Sequence, residues 1–333
     1  MKLLENIFSV KNSFKHLKKY KIVTILGFKV KFRVRNTKNI RNFIRTNKPQ
    51  LCENITFEGK IPDKKDSLAI CAIFKNEPDI IEWIEYHKLV GVERFYLYDN
   101  DSDFNIKRVL QPYINDGTVI YHYTNEKCMQ NIVYRDAVYR YGDKTKWMAM
   151  IDLDEYIVPI EKDNIIEFLK DYESYPAVGI NWRMFDSNGY VSRPDCLVVE
   201  AYTRGGKSNM HIKSIFKPAE VKYITNPHCC FYKNKKLAVN EKFNPIGSPD
   251  ILTTICNCFN WDISYEKIQI NHYHSKSYED NLRKAIIGYA DSLKDRPVRG
   301  LYFREFKRDY KIQKYLDNLK LKMENINYKV LQK

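Results

Sequence analysis

The sequence has few glycines and lacks any glycine-rich phosphate-binding loop. Only 12 of its 333 residues are Gly, and neither a Gly-x-Gly-x-x-Gly fingerprint nor a Walker-type loop occurs. Internal repeats are also missing, which excludes solenoids and propellers. The apolar and charged fractions, 44% and 29%, are ordinary for a globular protein and exclude a disordered chain. A chain of this length can bury one large core and carry appendages.

Long apolar runs and regularly spaced cysteines are lacking as well. The longest apolar stretch near the N-terminus, residues 22–28, is broken by Thr24 and is too short to span a bilayer. We find no apolar run ending in small residues, as a secretory signal would require. The eight cysteines follow no zinc-ligand spacing. We therefore expect reduced thiols in a cytoplasmic protein.

Positive charge is concentrated at the two ends of the chain. Residues 1–65 hold 17 basic and 4 acidic side chains, and residues 283–333 hold 14 and 6, whereas residues 66–282 hold 25 and 31. A nucleic-acid enzyme would carry its positive field around the active site, so we expect no nucleic-acid partner. Basic ends on an acidic middle favour docking on an anionic membrane surface. A solubilising surface is the alternative interpretation.

The hydrophobic pattern divides the chain into three parts. Residues 1–65 form a basic, β-rich extension, with a helix-like start over 8–20 and an alternating strand pattern over 28–35. In residues 66–292, apolar runs and helical segments follow the order βαβαβαβ. This order predicts an α/β domain with a doubly wound, mostly parallel sheet and helices on both faces. Residues 293–333 are predicted to form a basic amphipathic helical tail.

The strongest chemical signal follows the fourth predicted strand, residues 147–151. Asp152, Asp154 and Glu155 come directly after it. Side chains alternate on an extended backbone, so Asp152 and Asp154 point the same way, and two adjacent anions are costly unless a cation neutralises them. Mg²⁺ or Mn²⁺ binds through one or two carboxylates and leaves room for a diphosphate. We therefore predict a metal site here; an acidic turn is the alternative.

Several motifs occur in a fixed order along the middle of the chain. They are Ala-Ile-Phe-Lys-Asn-Glu at 72–77, Glu-Trp-Ile-Glu-Tyr-His at 82–87, Tyr-Asp-Asn-Asp-Ser at 98–102, Ile-Asp-Leu-Asp-Glu at 151–155, Lys-Ser-Ile at 213–215, Pro-His at 227–228 and Asn-His-Tyr-His-Ser-Lys-Ser at 271–277. This set resembles glycosyltransferase family 92 and related family-2-like enzymes over roughly residues 67–292. The resemblance implies a GT-A fold, a nucleotide-sugar donor, a divalent cation and inversion at the anomeric carbon.

By position, the resemblance also implies residues that bind the nucleotide sugar. Asn76, Glu77 and Asp99 resemble nucleoside-binding positions, and a carboxylate there can accept a hydrogen bond from uracil or ribose. A helix-start charge at Glu77 and a turn cap at Asp99 are the alternatives. Arg135, on the helix before the metal strand, either reaches a phosphate or forms a surface ion pair. Asp152 is expected to contact the nucleotide as well as the metal.

The polar stretch 271–277 supplies further candidates. His272 and His274 point the same way on an extended chain, so one of them can complete the metal shell while Lys276 contacts the diphosphate. We prefer His272 as the metal ligand. His274 and His228 are then candidates for the acceptor side.

Inversion requires a base that takes the proton of the acceptor hydroxyl. The candidates are Asp186, Glu241 and Asp262, and Glu155 is also retained. The family has Gly-Ser where this chain has Asp186-Ser187, so a role for Asp186 departs from the family pattern.

The leading hypothesis is a metal-dependent, inverting hexosyltransferase. By resemblance it moves galactose from a UDP-sugar to a glycan or glycolipid acceptor such as lipopolysaccharide, lipooligosaccharide or capsule. The basic ends place it as a peripheral protein on the inner face of the cytoplasmic membrane. The alternatives are a nucleic-acid-binding protein or metal-dependent nuclease that uses the same acidic cluster, and a non-catalytic membrane scaffold.

Overall fold

The computed structural model describes residues 8–15, 18–25, 28–34, 54–224, 226–247, 258–298 and 307–326. These residues fall into two compact units, one holding the first three strands and the other everything from residue 54 onward.

The first unit contains a three-stranded antiparallel sheet. Its strands are β1 (Phe8–Lys15), β2 (Lys18–Ile25) and β3 (Phe28–Val34), paired in chain order. The alternating pattern predicted over 28–35 is confirmed as a strand. The helix-like start predicted over 8–20 is wrong, because β1 pairs along its length with β2, whose residues 22–25 are all β-branched and favour strand.

The centre of the second unit is four parallel strands in the order β7–β6–β5–β8, with β4 antiparallel at the outer edge of β7. Helices α1, α2 and α3 connect these strands. The elements are β4 (Thr56–Glu58), β5 (Asp66–Phe74), α1 (Ile80–Leu89), β6 (Arg94–Asp99), α2 (Ile106–Asn115), β7 (Val119–Tyr123), α3 (Gln130–Tyr141) and β8 (Thr145–Met150).

Helices cover both faces of these strands. Alternate side chains of β5 enter two different apolar clusters: Leu68 and Ile70 pack in the cluster of α1 and α2, while Ala69 and Cys71 pack in the cluster of α3. A strand buried on both faces needs apolar side chains on both, as β5 has from residue 68 to residue 74. The predicted α/β architecture with a doubly wound parallel centre is confirmed.

The remaining strands extend the sheet with mixed directions. β11 pairs antiparallel with β8, β10 pairs antiparallel with β11, and β16 lies between β10 and β9. The elements are β9 (Glu155–Pro159), α4 (Ile165–Leu169), β10 (Ala177–Phe185), α5 (Val198–Ala201), β11 (Arg204–Phe216), β12 (Val221–Ile224), β13 (Cys230–Tyr232), β14 (Ala238–Val239), β15 (Pro245–Ile246), β16 (Ile268–His272), α6 (Tyr278–Ile287), β17 (Lys307–Arg308) and α7 (Leu316–Asn325).

The C-terminal helix α7 packs onto the domain. Its Leu319 is fully buried, and the ring of Tyr315, just before the helix, lies 5.7 Å from that of Tyr86 in α1. The described part of the predicted tail over 293–333 therefore contributes to the same core. Among the helices that the structure describes, none is both long and apolar enough to cross a bilayer.

One buried histidine makes the stability of this sheet depend on pH. The His122 ring stacks 4.0 Å from that of Tyr98, and its Nε2 lies 2.8 Å from the Tyr141 hydroxyl. Burial, assisted by nearby Arg140, lowers the pKa of His122 to about 3. In the unfolded chain the His122 imidazole takes up a proton near pH 6.5, whereas in the folded chain it stays neutral until about pH 3. The free energy of unfolding therefore decreases as pH falls below 6.5.

We predict that His122→Phe removes part of this acid sensitivity. Between pH 7.5 and pH 5, the variant should lose about 2 kcal/mol less of its free energy of unfolding than the wild type, measured by urea denaturation. Tyr98→Phe is the matched control: it loses the hydrogen bond to Asp136 but keeps the imidazole, so its pH slope should equal that of the wild type. Equal slopes for His122→Phe and wild type would contradict the assignment.

Candidate functional site

The candidate site is a cavity of about 550 Å³ at the carboxyl ends of β5 and β8. From β5 the chain winds outward through β6 and β7, and it then returns to place β8 on the other side of β5. Such a change of direction opens a crevice in which α/β sheets bind ligands. Polar side chains that line the cavity are Asn76, Glu77, Asn100, Gln130, Asp152, Asp154, His211, His228, His272, His274, Arg283 and Lys284.

Strand pairing brings Asp154 and His272 together. In the antiparallel ladder of β9 and β16, His272 lies directly opposite Glu155, and the Tyr273 backbone N–H donates to the Asp154 carbonyl at 2.8 Å. The His272 Nε2 is consequently 3.5 Å from the Asp154 Oδ1. Residues separated by more than a hundred positions thus meet at the point that the sequence predicted.

A lysine keeps Asp154 ionised. Burial alone would raise the pKa of Asp154, but Lys284, whose Nζ is 2.6 Å from Oδ2, and His272 hold that pKa well below its usual range. The other oxygen, Oδ1, is buried and has no hydrogen-bond partner among the residues that the structure describes. Asp154 therefore presents one unoccupied, negatively charged oxygen toward His272.

Asp152 is more exposed and is bound by different groups. Its side chain is 35% accessible. Gln130 donates to Oδ1 at 2.8 Å, and Lys213 donates to Oδ2 at 3.1 Å. Burial lowers the pKa of Lys213, but Asp152 and Glu155 outweigh it and the net shift is upward. Lys213 is thus a buried cation that neutralises Asp152.

These residues fit a divalent cation that protein and substrate hold jointly. Across the described ranges, no group of three His, Cys, Asp or Glu side chains is arranged to hold an ion. Asp154 Oδ1 and His272 Nε2 are nevertheless spaced like two neighbouring ligands of one ion, and hard cations such as Mg²⁺ commonly take their remaining ligands from phosphates and water. Asp152, predicted as a third ligand, has both oxygens engaged with Gln130 and Lys213.

The residues predicted to bind the nucleotide sugar are only partly brought together. Asn76 and Glu77 line the cavity, and Asn100 lines it where Asp99 was predicted. Asp99 is buried beside it and accepts hydrogen bonds from the Ser102 backbone N–H and the Tyr121 hydroxyl. It therefore acts as the turn cap that was the alternative interpretation.

Arg135 and Lys276 do not line the cavity either. The Arg135 Nε donates to the Ile224 carbonyl at 3.0 Å. Lys276 has a fully buried side chain that pairs with Glu77, 3.1 Å away, and with Asp79. The structure contradicts a direct contact of Lys276 with a diphosphate, because carboxylates already surround its ammonium group.

The base candidates are held in structural roles. Glu241 accepts hydrogen bonds from three consecutive backbone N–H groups at residues 266–268. Asp186 is buried, with Arg204 at 3.2 Å. Glu155 is fully buried, and burial raises its pKa well above the usual range. The fourth candidate, Asp262, accepts hydrogen bonds from the side chains of Asn240 and Asn244. None of the four lines the cavity, so none is placed to take a proton from a substrate bound there.

The histidines predicted for the acceptor side do line the cavity. The His228 Nδ1 lies 2.8 Å from the Ile212 carbonyl oxygen; because a carbonyl only accepts, Nδ1 carries the hydrogen and Nε2 is the acceptor. Burial and Lys213 lower the pKa of His228 to about 4. Burial and His272 lower that of His274 to about 2. Both rings are therefore neutral at physiological pH.

Sequence reasoning missed three contributors to the cavity. Lys213 belongs to the Lys-Ser-Ile motif at 213–215, and that motif could have indicated a role in the site. Its contact with Asp152 follows from the pairing of β11 with β8. Lys284 and Trp182 gave no local signal. Lys284 reaches Asp154 from α6, and Trp182 enters the cavity from β10, with its ring 4.4 Å from that of His272.

The burial of Lys276 makes a testable prediction about stability. Burial raises the pKa of Asp79, but Lys276 and Arg193 bring it to about 2, so the stability from Asp79 is present above pH 4 and is lost as pH falls toward 2. Lys276→Met should lower the free energy of unfolding by about 3–5 kcal/mol at pH 7 and move acid unfolding to higher pH. Urea and acid titrations measure both quantities.

The control for Lys276→Met is Lys60→Met, which breaks an exposed ion pair with Asp63 and should change stability by less than about 1 kcal/mol. A Lys276→Met protein as stable as the wild type would favour the original interpretation, in which Lys276 serves only to bind a phosphate.

Comparison with known sequences agrees with the motifs. The sequence model for glycosyltransferase family 92 matches residues 66–327. The chain therefore belongs to glycosyltransferase family 92, and the predicted family is confirmed. The match begins at the first residue of β5 and includes α7. Together with the observed sheet, it supports the predicted GT-A-like α/β fold class.

Individual relatives match over shorter segments. A family 92 protein from Oryza sativa is 26% identical over 160 residues, 46% of this chain and 27% of that protein. A β-1,4-galactosyltransferase from Caenorhabditis elegans is 28% identical over 35% of this chain and 31% of that protein. A galactan β-1,4-galactosyltransferase from Arabidopsis thaliana is 31% identical over 28% of this chain and 21% of that protein. The matches span less than a third of each of these relatives.

Similarity to solved structures is weak. The crystal structure of S. aureus TarS residues 1–349 has 14% sequence identity and a TM-score of 0.30, over 46% of this chain and 47% of that chain. A score this low does not by itself establish a shared fold.

Proposed function

We propose that this family 92 glycosyltransferase transfers a hexose, galactose, from a UDP-sugar to a glycan hydroxyl with inversion at the anomeric carbon, using Mn²⁺ or Mg²⁺. The observation that carries the proposal is the pair formed by Asp154 Oδ1 and His272 Nε2, 3.5 Å apart in a cavity at the sheet's switch point. The galactosyltransferase names of two relatives support the choice of sugar.

The donor diphosphate is proposed to lie over Asp154 and His272. The cavity volume is within the range of small-molecule sites. Arg283, Arg296 and Lys75 line it and supply positive charge for phosphate oxygens, whereas Asn76, Glu77 and Asn100 offer hydrogen bonds to a nucleoside. Asp152, held by Lys213, lies between these groups and is proposed to contact the ribose.

A cation bound at Asp154 and His272 would neutralise charge that develops on the leaving diphosphate. The chain's own residues prepare that position. Lys284 keeps Asp154 ionised. Burial raises the pKa of Glu155 well above its usual range, while Lys213, 3.6 Å away, opposes that shift. We propose that neutral His228 accepts a hydrogen bond from the acceptor hydroxyl at Nε2 and takes its proton as that oxygen bonds to the anomeric carbon and the diphosphate leaves.

The proposal predicts metal-dependent binding of a nucleotide sugar. UDP-galactose, UDP-glucose and UDP-GlcNAc should be compared by thermal stabilisation and by donor hydrolysis, each with Mn²⁺ and with EDTA. We expect UDP-galactose with Mn²⁺ to give the largest effect. Asp154→Asn should reduce hydrolysis by about 100-fold or more, because several kcal/mol of transition-state stabilisation depend on the cation.

The matched control is Asp63→Asn, the same substitution at an exposed carboxylate that pairs with Lys60 outside the cavity lining, which should hydrolyse the donor at the wild-type rate. If no UDP-sugar binds or is hydrolysed with either metal, the proposed reaction is rejected. If Asp154→Asn retains full metal-dependent activity, the assigned metal position is rejected.

We also propose that the basic N-terminal segment brings the protein to an anionic membrane, on the cytoplasmic face, where a glycolipid or capsule precursor is the acceptor. The support is the excess of basic residues over acidic ones in residues 1–65 and the Lys and Arg residues that alternate along β3.

Flotation with vesicles measures this association. The protein should float with phosphatidylglycerol vesicles in 50 mM NaCl (roughly the low-salt condition in which charge attraction is strong) and should be released as screening increases. Lys29→Gln combined with Lys31→Gln and Arg33→Gln should weaken flotation, and neutral phosphatidylcholine vesicles are the control. Equal binding to both vesicle types would contradict an electrostatic role.

A further inference from the structure

A row of aromatic rings leads from the cavity to the protein surface. Trp182 lies in the cavity wall, and the ring of His211 stacks on it at 5.1 Å and an interplanar angle of 16°. The Phe259 ring lies 4.7 Å from His211, and the Trp261 ring lies 6.1 Å from Phe259. The row ends at Trp261, which is 74% exposed.

The loop that carries Trp261 is firmly anchored. Residues His211 and Phe259 form a backbone bridge, and the Asn260 backbone N–H donates to the Met210 carbonyl at 2.8 Å. The Asn260 side chain is buried and donates to Asn181 Oδ1 at 2.7 Å. Trp261 is therefore held in solvent by the fold. Its exposed ring offers a flat apolar face for a ligand to contact.

The neighbouring polar groups fit hydroxyl groups. The Nδ1 atoms of His211 and His228 are bonded to Asn209 Oδ1 and to the Ile212 carbonyl, which leaves each Nε2 as an acceptor. The Trp182 Nε1 is buried without a partner in the described part of the chain, and such an unmade hydrogen bond is costly. Flat aromatic faces with hydrogen-bonding groups at their edges match a sugar ring, which has an apolar C–H face and a rim of hydroxyls.

We propose that this row is the acceptor-binding track, and that the acceptor is a saccharide chain of two or more residues. Its terminal sugar contacts the edge of Trp182 and donates hydroxyl hydrogen bonds to the Nε2 atoms of His211 and His228, and a preceding sugar stacks on Trp261. The role of this saccharide as an acceptor rests on the proposed transferase function. The affinity of the protein for a saccharide chain does not. A track of this kind selects for chain length, because a single sugar can occupy the Trp182 end without reaching Trp261.

The first experiment measures binding without catalysis. The full-length protein, without donor, is applied to an array of defined oligosaccharides of increasing length, including β-1,4-linked galactose chains. We expect binding that strengthens with length, and Trp261→Ala should weaken binding of the longer chains by about 5- to 10-fold, as an aromatic stacking contact would. Trp261→Phe should retain most of the affinity. Tyr139→Ala, at a half-exposed aromatic of α3, is the control and should bind like the wild type.

The second experiment separates this inference from the transferase proposal. With the best oligosaccharide as acceptor, Trp261→Ala should raise KM for long acceptors, leave KM for the shortest one unchanged and leave acceptor-free hydrolysis of UDP-galactose at the wild-type rate. If the wild type does not hydrolyse UDP-galactose, only the transferase proposal is rejected. Absence of length-dependent binding on the array, or equal binding by Trp261→Ala and wild type, would overturn the acceptor track.

Discussion

The pairing of β9 with β16 is the constraint on which the candidate site depends. It places His272 opposite Glu155 and next to Asp154. β16 also pairs with β10, with Met184 opposite His272. This second pairing places Trp182 of β10 beside His272 in the cavity. The parallel centre of the sheet supplies Asn76, Glu77 and Asn100 to the cavity lining, and the mixed-direction strands supply Trp182 and His272.

Three buried lysines form ion pairs with the carboxylates at and beside the site. Lys213 neutralises Asp152, Lys284 neutralises one oxygen of Asp154, and Lys276 neutralises Glu77 and Asp79. The adjacent aspartates therefore do not need a shared cation to be tolerated at the end of β8. One oxygen of Asp154 and the facing nitrogen of His272 are what the protein offers to an ion. The cost of burying the acidic cluster is met mainly by lysines from other strands and helices.

The sequence allowed the α/β fold, the location of the acidic cluster and the proximity of His272 to be predicted, because these follow from strand order and from side-chain alternation. It could not indicate Lys284 or Trp182, since their contacts are made across the fold by residues distant in the chain. Lys276, Asp99 and Arg135 lie outside the cavity lining for a related reason. A polar residue near a strand end can face the cavity or the interior, and neighbouring elements decide which. The helix expected over 8–20 shows that pairing with a β-branched partner strand overrides a local helical pattern.

The small number of protein ligands offered to a cation has a kinetic consequence. An ion held only by Asp154 and His272 would bind the free protein weakly, since most of its shell would still be water, and the diphosphate would complete that shell. Metal and nucleotide sugar would then enter together as one complex, and the cation would leave with the nucleoside diphosphate. The concentration of the metal–nucleotide complex, rather than that of free metal, would then determine how much of the site is filled.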